Sequence, residues 1–129
     1  MQYKEDMIFV FGSNLAGRHG KGAALFAIQN HGAIYGQSVG LQGNAYAIPT
    51  KDYTIQSALP LETIENYVKE FLMFAEQNPW LEFFVTAIGC GLAGYTPDQI
   101  APFFSGYPDN VYLNDDFEEV LLPIADEDL

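Results

Sequence analysis

Two glycine-rich turns, each set directly after a short apolar run, constrain this chain more than any other feature. The first run is Met7-Ile8-Phe9-Val10-Phe11, and it leads into Gly12-Ser13-Asn14-Leu15-Ala16-Gly17-Arg18-His19-Gly20-Lys21-Gly22-Ala23-Ala24. The second is Phe83-Phe84-Val85-Thr86-Ala87-Ile88, leading into Gly89-Cys90-Gly91-Leu92-Ala93-Gly94-Tyr95. Glycine tolerates positive φ and carries no Cβ to hold a ligand away. Successive free N–H groups in such a turn, beside a helix N-terminus, form an anion-binding concavity. Two such turns at the C-terminal ends of neighbouring parallel strands would face each other across one crevice. That geometry suits a diphosphate. The plainer reading, two tight strand-to-helix turns, does not account for the number of glycines in each.

The rest of the chain supplies strands and helices in alternation. Residues 7–11 read as a buried strand, and 22–30 as a helix packed through Ala23, Ala24, Phe26, Ala27 and Ile28, stopped by His31-Gly32. A glycine-spaced loop, 36–43, precedes a second strand, Ala45-Tyr46-Ala47-Ile48, which Pro49 is expected to end. Pro60 is expected at the first position of the clearest helix, in which Leu61, Ile64, Val68, Phe71, Leu72 and Ala75 follow helical spacing. Residues 82–88 read as a third strand, and Thr96-Pro97-Asp98-Gln99 as the capping box of a short helix through Phe104. Val111-Tyr112-Leu113 is a fourth strand, and 117–122 a short edge strand or helical turn. The order implies an α/β protein with a mostly parallel sheet covered on both faces.

Composition narrows the function classes. The 129 residues fit one domain, 1–129, with a single core and an acidic C-terminal end, Asp126-Glu127-Asp128-Leu129, expected to fray. No apolar run approaches the roughly 20 residues of a membrane span, and the N-terminus is too polar for a signal peptide. Cys90 is the only cysteine, so a reducing cytoplasmic setting is expected. A net charge of −12 argues against a groove for nucleic acid. Only five Lys and Arg exist, and Arg18, Lys21 and Lys51 fall in glycine-flanked or strand-end segments. From Asp109 onward there are eight Asp and Glu and no Lys or Arg. A local positive spot on an acidic body fits a small anionic ligand. The bland alternative is three solvated surface cations. The sequence assigns no oligomeric state.

Several chemistries are excluded by residue type. Gly12-x-x-x-x-Gly17-Arg18-His19 lacks the Lys and Ser or Thr of a nucleoside-triphosphate loop. Gly20-Lys21-Gly22-Ala23-Ala24-Leu25 fails as a dinucleotide fingerprint. No metal-ligand spacing occurs, and no metal or cofactor is expected. Cys90 as a nucleophile would need a base, for which only His19 and His31 exist. The simpler expectation is a bystander thiol whose neighbouring backbone binds ligand.

The two loop segments resemble the ligand loops of macrodomains, α/β/α modules that bind ADP-ribose and in some cases cleave it from proteins or nucleic acids. The second, Ile88-Gly89-Cys90-Gly91-Leu92-Ala93-Gly94-Tyr95, is most similar to the branch that includes terminal ADP-ribose glycohydrolase. The resemblance covers residues 7–113. It implies a three-layer α/β/α sandwich, shortened at its N-terminus, with Asn14, Gly20, Gly22, Gly89, Gly91, Gly94 and Tyr95 clasping the diphosphate and distal ribose. It also implies a catalytic Lys at Lys51, in Ile48-Pro49-Thr50-Lys51-Asp52, and an Asp where Ala93 stands. Asp52 and Asp98 are the acids considered as substitutes.

The expected ligand site therefore comprises Gly12, Ser13, Asn14, Gly17, Arg18, His19, Gly20, Lys21, Gly22 and Ala23 from the first loop. Thr50 and Lys51 come from the middle strand, and Gly89, Cys90, Gly91, Leu92, Ala93, Gly94 and Tyr95 from the second loop. Lys51 and His19 are the candidate catalytic groups. The expected function is recognition or sequestration of an ADP-ribose-like or related signalling nucleotide. One alternative is an ADP-ribosyl glycohydrolase. The other is an interaction protein with a vestigial crevice.

Overall fold

In the computed structural model, residues 3–122 are described. Five strands form one sheet in the order β2-β3-β1-β4-β5. They are β1 (Ile8–Asn14), β2 (Gly40–Gln42), β3 (Ala45–Lys51), β4 (Phe83–Val85) and β5 (Val111–Leu113). The central strand β1 pairs in parallel with β3 and β4, and β4 with β5, while β2 alone is antiparallel. The helices are α1 (Gly22–His31), α2 (Leu61–Gln77), α3 (Pro97–Ile100), which continues into a 3₁₀ turn over Ala101–Phe104, and α4 (Asp115–Leu121).

Side-chain alternation along β1 splits the interior into two layers. Ile8 and Val10 face a large cluster with Tyr46, Ile48, Phe83 and Val85, roofed by Ile64, Val68, Phe71, Phe104 and Phe117 of the helices. Phe9 and Phe11 face the other way, onto Ala45, Ala47 and the small residues Ala24 and Ala27 of α1. Alanines on that face let α1 approach the sheet closely. Burying one large side chain such as Phe71 contributes about 1.5–3 kcal/mol. The result is the expected α/β fold, with a helical layer on each face of a mostly parallel sheet.

Several boundaries differ from the sequence reading, each for a physical reason. β1 runs on through Gly12, Ser13 and Asn14, because these residues keep pairing with Ile48, Pro49 and Lys51. β3 passes through Pro49 and does not end there. The missing N–H coincides with a register shift between Ser13 and Asn14, the kind of irregularity at which strands tolerate proline. The 36–43 loop contains β2, which closes against Ala45–Ala47. β4 ends at Val85: the Thr86 amide still donates to the Val10 carbonyl at 3.1 Å, but the Ile88 amide then folds back onto the Thr86 carbonyl at 2.7 Å and the turn begins. Pro60 caps α2 from outside it.

Residues 117–122 fall within and just after α4, a helix whose start is fixed by Asn114, the side chain of which accepts from the Phe117 amide. The Thr96/Gln99 capping box forms as expected, and Gly32 closes α1 in the left-handed conformation. The acidic segment Asp126–Leu129 lies outside the described residues.

Candidate functional site

The C-terminal ends of β3, β1, β4 and β5 all emerge on one side, and there lies a crevice of about 990 Å³. Its floor is the end of β1, where Gly12, Ser13 and Asn14 line it beside Thr50 and Lys51 from the end of β3. Thr50 donates to the Ser13 carbonyl at 3.3 Å, which ties the two strand ends together. Leu15 donates its amide to the Lys51 carbonyl at 3.0 Å, so the first loop begins pinned against the lysine.

Asn14 then shapes that loop. Its side-chain oxygen accepts from the Arg18 amide at 2.9 Å, and its side-chain nitrogen donates to the Arg18 carbonyl at 3.0 Å. The Arg18 side chain lines the crevice from this fixed backbone. Gly20, Lys21, Gly22 and Ala23 follow, and they lead directly into α1 with its first turn at the crevice wall. That first turn contains no acidic residue and its cap makes no side-chain hydrogen bond. Its N–H groups and the positive end of the helix dipole are therefore available to an anion.

The second loop forms the opposite wall through Gly89, Cys90, Gly91, Leu92 and Ala93. The amides of Cys90, Gly94 and Tyr95 close turns within the loop, donating to Ala87, Gly91 and Gly89. Those of Gly89, Gly91, Leu92 and Ala93 have no backbone acceptor among the described residues. A Cβ at Gly91 would meet nothing within 4 Å, so the crevice is open at that point.

Four expected site residues stand off the crevice lining. Gly17, at φ 69°, packs backbone to backbone on Gly36: a Cβ there would come within 2.4 Å of the Gly36 carbonyl carbon. Gly94 turns the loop at φ 86°, and Tyr95 braces it by donating its hydroxyl to the Leu59 carbonyl at 2.6 Å. His19 is only 1 % exposed, edge-on to Phe11. Its Nε2 lies 2.9 Å from the Gln37 carbonyl and 3.2 Å from Gln42 Oε1, while its Nδ1 is buried without a partner among the described residues.

The two substitute acids also stand apart from the lining. The Asp52 carboxylate accepts from the Thr54 amide and hydroxyl, and the latter bond holds its pKa below the ordinary carboxylate value. Asp98 is exposed in the first turn of α3, within the capping box.

Other lining residues were not singled out from the sequence: Tyr35, Ile55, Thr86 and Asp116. Ile55 has φ 67°, the one positive value outside glycine among the described residues. For a β-branched side chain that is a strained backbone, and such strain persists only where the surroundings enforce it. The turn from Asp52 to Ser57 does so, through the Asp52–Ser57 and Ile55–Asp52 backbone bonds. Asp116 was legible in one respect only: it lies just past the end of a parallel strand, the edge at which α/β sheets bind ligands.

Electrostatically, the wall holds Arg18, Lys21 and Lys51 against the single acid Asp116 among the described residues. Burial, aided by the Asp116 charge, pushes the Cys90 thiol up to about 11. It is a protonated, weakly nucleophilic group at neutral pH. Among the described residues no cluster of three or more His, Cys, Asp or Glu could hold a metal, and no helix is long and apolar enough to cross a membrane.

No known sequence family matches the chain, and no curated protein matches it. A solved structure does: Thermosipho africanus DarTG in complex with ADP-ribose, at 16 % sequence identity and a TM-score of 0.62. The alignment covers 94 % of this chain and 40 % of that one, so this chain spans well under half of its length. The likeness is one of fold, and the architecture is the three-layer macrodomain-like α/β/α sandwich that the two loop sequences implied.

Proposed function

We propose that the crevice binds a nucleotide of the ADP-ribose class and holds it without turning it over. The observation that carries this reading is the convergence of two backbone donor sets on one cavity. The first turn of α1 supplies one and the second glycine loop the other, with Arg18, Lys21 and Lys51 beside them. A diphosphate placed between them would take N–H bonds from both walls and charge from three cations. The likeness to a fold solved with ADP-ribose supports the same ligand class. On this reading the 129 residues act as one ligand-binding domain.

Ala93 leaves no carboxylate where the resemblance places one, and the burial of His19 suits it to holding the 36–43 segment in place. Lys51 lines the crevice, however, and that observation keeps hydrolysis of an ADP-ribosyl bond as a second reading. Calorimetry with ADP-ribose tests the first: saturable binding that Gly91→Val abolishes is expected, and failure of the wild type to bind overturns it. Single-turnover release of ADP-ribose from modified protein or DNA, lost in Lys51→Ala, would establish the second.

A further inference from the structure

The strand order sets the order of charges along the crevice. Lys51 ends β3, Arg18 follows β1, the neutral glycine loop follows β4, and Asp116 follows β5. Neighbouring strands lie roughly 4.8 Å apart, so β3 and β5 are separated by about 14 Å. The acid is held at its end. Asn114 donates its amide to the Val85 carbonyl at 2.9 Å and its side-chain nitrogen to the same oxygen at 3.2 Å. This fastens the start of α4 to the end of β4. The charge of Asp116 is consequently felt at Cys90 in the second loop. A crevice for a simple polyanion would have no use for a carboxylate in its wall. This one is cationic at the β3–β1 end and anionic at the β5 end.

We infer that Asp116 is the specificity-determining acceptor at the β5 end of the crevice, receiving a neutral, donor-bearing nucleoside head group and turning away ligands that carry a further phosphate there. The inference rests on the nucleotide-binding reading above. The diphosphate then lies over the two backbone donor sets. The head group lies beyond the second loop, where an amino group or ribose hydroxyl donates to the Asp116 carboxylate. A phosphate at that position would meet a like charge instead.

The test is calorimetry with inorganic pyrophosphate, ADP-ribose and ADP-ribose 2′-phosphate on the wild type, Asp116→Ala and Asp116→Asn. Removing one acid strengthens the hold on the diphosphate common to all three probes, so the ratio of affinities is the readout. Asp116→Ala is expected to lower the ratio of ADP-ribose to pyrophosphate affinity by about tenfold or more, the typical effect of losing a charged hydrogen bond. Asp116→Asn keeps an acceptor but not the charge, and is expected to relieve discrimination against the 2′-phosphate. Wild-type binding with ratios unchanged in both variants would overturn the role of Asp116 and leave the nucleotide crevice standing. A wild type that binds none of the three probes would overturn both.

Discussion

The side-chain amide of Asn14 closes on both backbone groups of Arg18, accepting from its N–H at 2.9 Å and donating to its carbonyl at 3.0 Å. The last residue of the central strand thus decides where the first loop carries its cation. Asn14 is 6 % exposed, and both bonds are partly buried. Asn14→Ala would leave two backbone groups without partners. We expect a loss of about 1–3 kcal/mol in urea unfolding, together with weaker ADP-ribose binding. Asn14→Ser, which retains one bond at most, should fall between. Full stability and affinity in Asn14→Ala would show that the clamp does not set the loop.

Two glycines separate ligand space from backbone packing. Gly91 faces open crevice, so Gly91→Val should abolish binding while moving stability by no more than about 0.5 kcal/mol. Gly17 has φ 69° and abuts Gly36. Gly17→Ala should lower stability by more than about 1 kcal/mol. Thermal melts alongside calorimetry distinguish the two; equal destabilisation by both would contradict the assignment.

The cations make a salt-dependent contribution. Arg18→Ala and Lys51→Ala are each expected to weaken ADP-ribose binding by about 10- to 100-fold, and by less at high ionic strength. Lys69→Ala, which removes an exposed pair with Glu65 on α2 at 3.5 Å, and Lys4→Ala are the controls. Four similar responses would mean that Arg18 and Lys51 are merely solvated surface charges.

Stability should fall on mild acidification. Burial, outweighing the opposing effects of the Asn44 backbone contact and the Glu5 charge, lowers the pKa of His31 below its ordinary 6.5. Below that value the unfolded chain takes up the proton and the folded chain does not, so stability is lost as pH falls from 6.5 toward the depressed folded value. Denaturant midpoints across this window should decline in the wild type and decline less in His31→Gln. An identical slope in the variant would remove His31 as the source.

Cys90 should alkylate slowly. With its pKa near 11, only about one thiol in a thousand is ionised at pH 8. Asp116→Asn removes the smaller of the two causes and should speed the reaction modestly, leaving the burial contribution in place. Rapid labelling of the wild type at pH 7 would contradict the burial of this thiol.

The local arrangement of this protein was legible in its sequence because it depends on local rules. Apolar runs gave the strands, helical spacing gave α2, the Thr96/Gln99 box gave α3, and glycine density marked the two loops that line the crevice. Pairing and burial depend on partners distant in the chain, and only the tertiary structure supplied them. Continued pairing with β3 extended β1 through Asn14, and the register shift beside Pro49 carried β3 through to Lys51. The fold also withdrew His19 into the interior, because Gln37 and Gln42, far along the chain, come back to meet its ring. It brought Asp116 to the crevice because β5 lies next to β4 in the sheet. Residue type and spacing thus fixed which loops could hold an anion, and the order of the strands decided which side chains share the crevice with them.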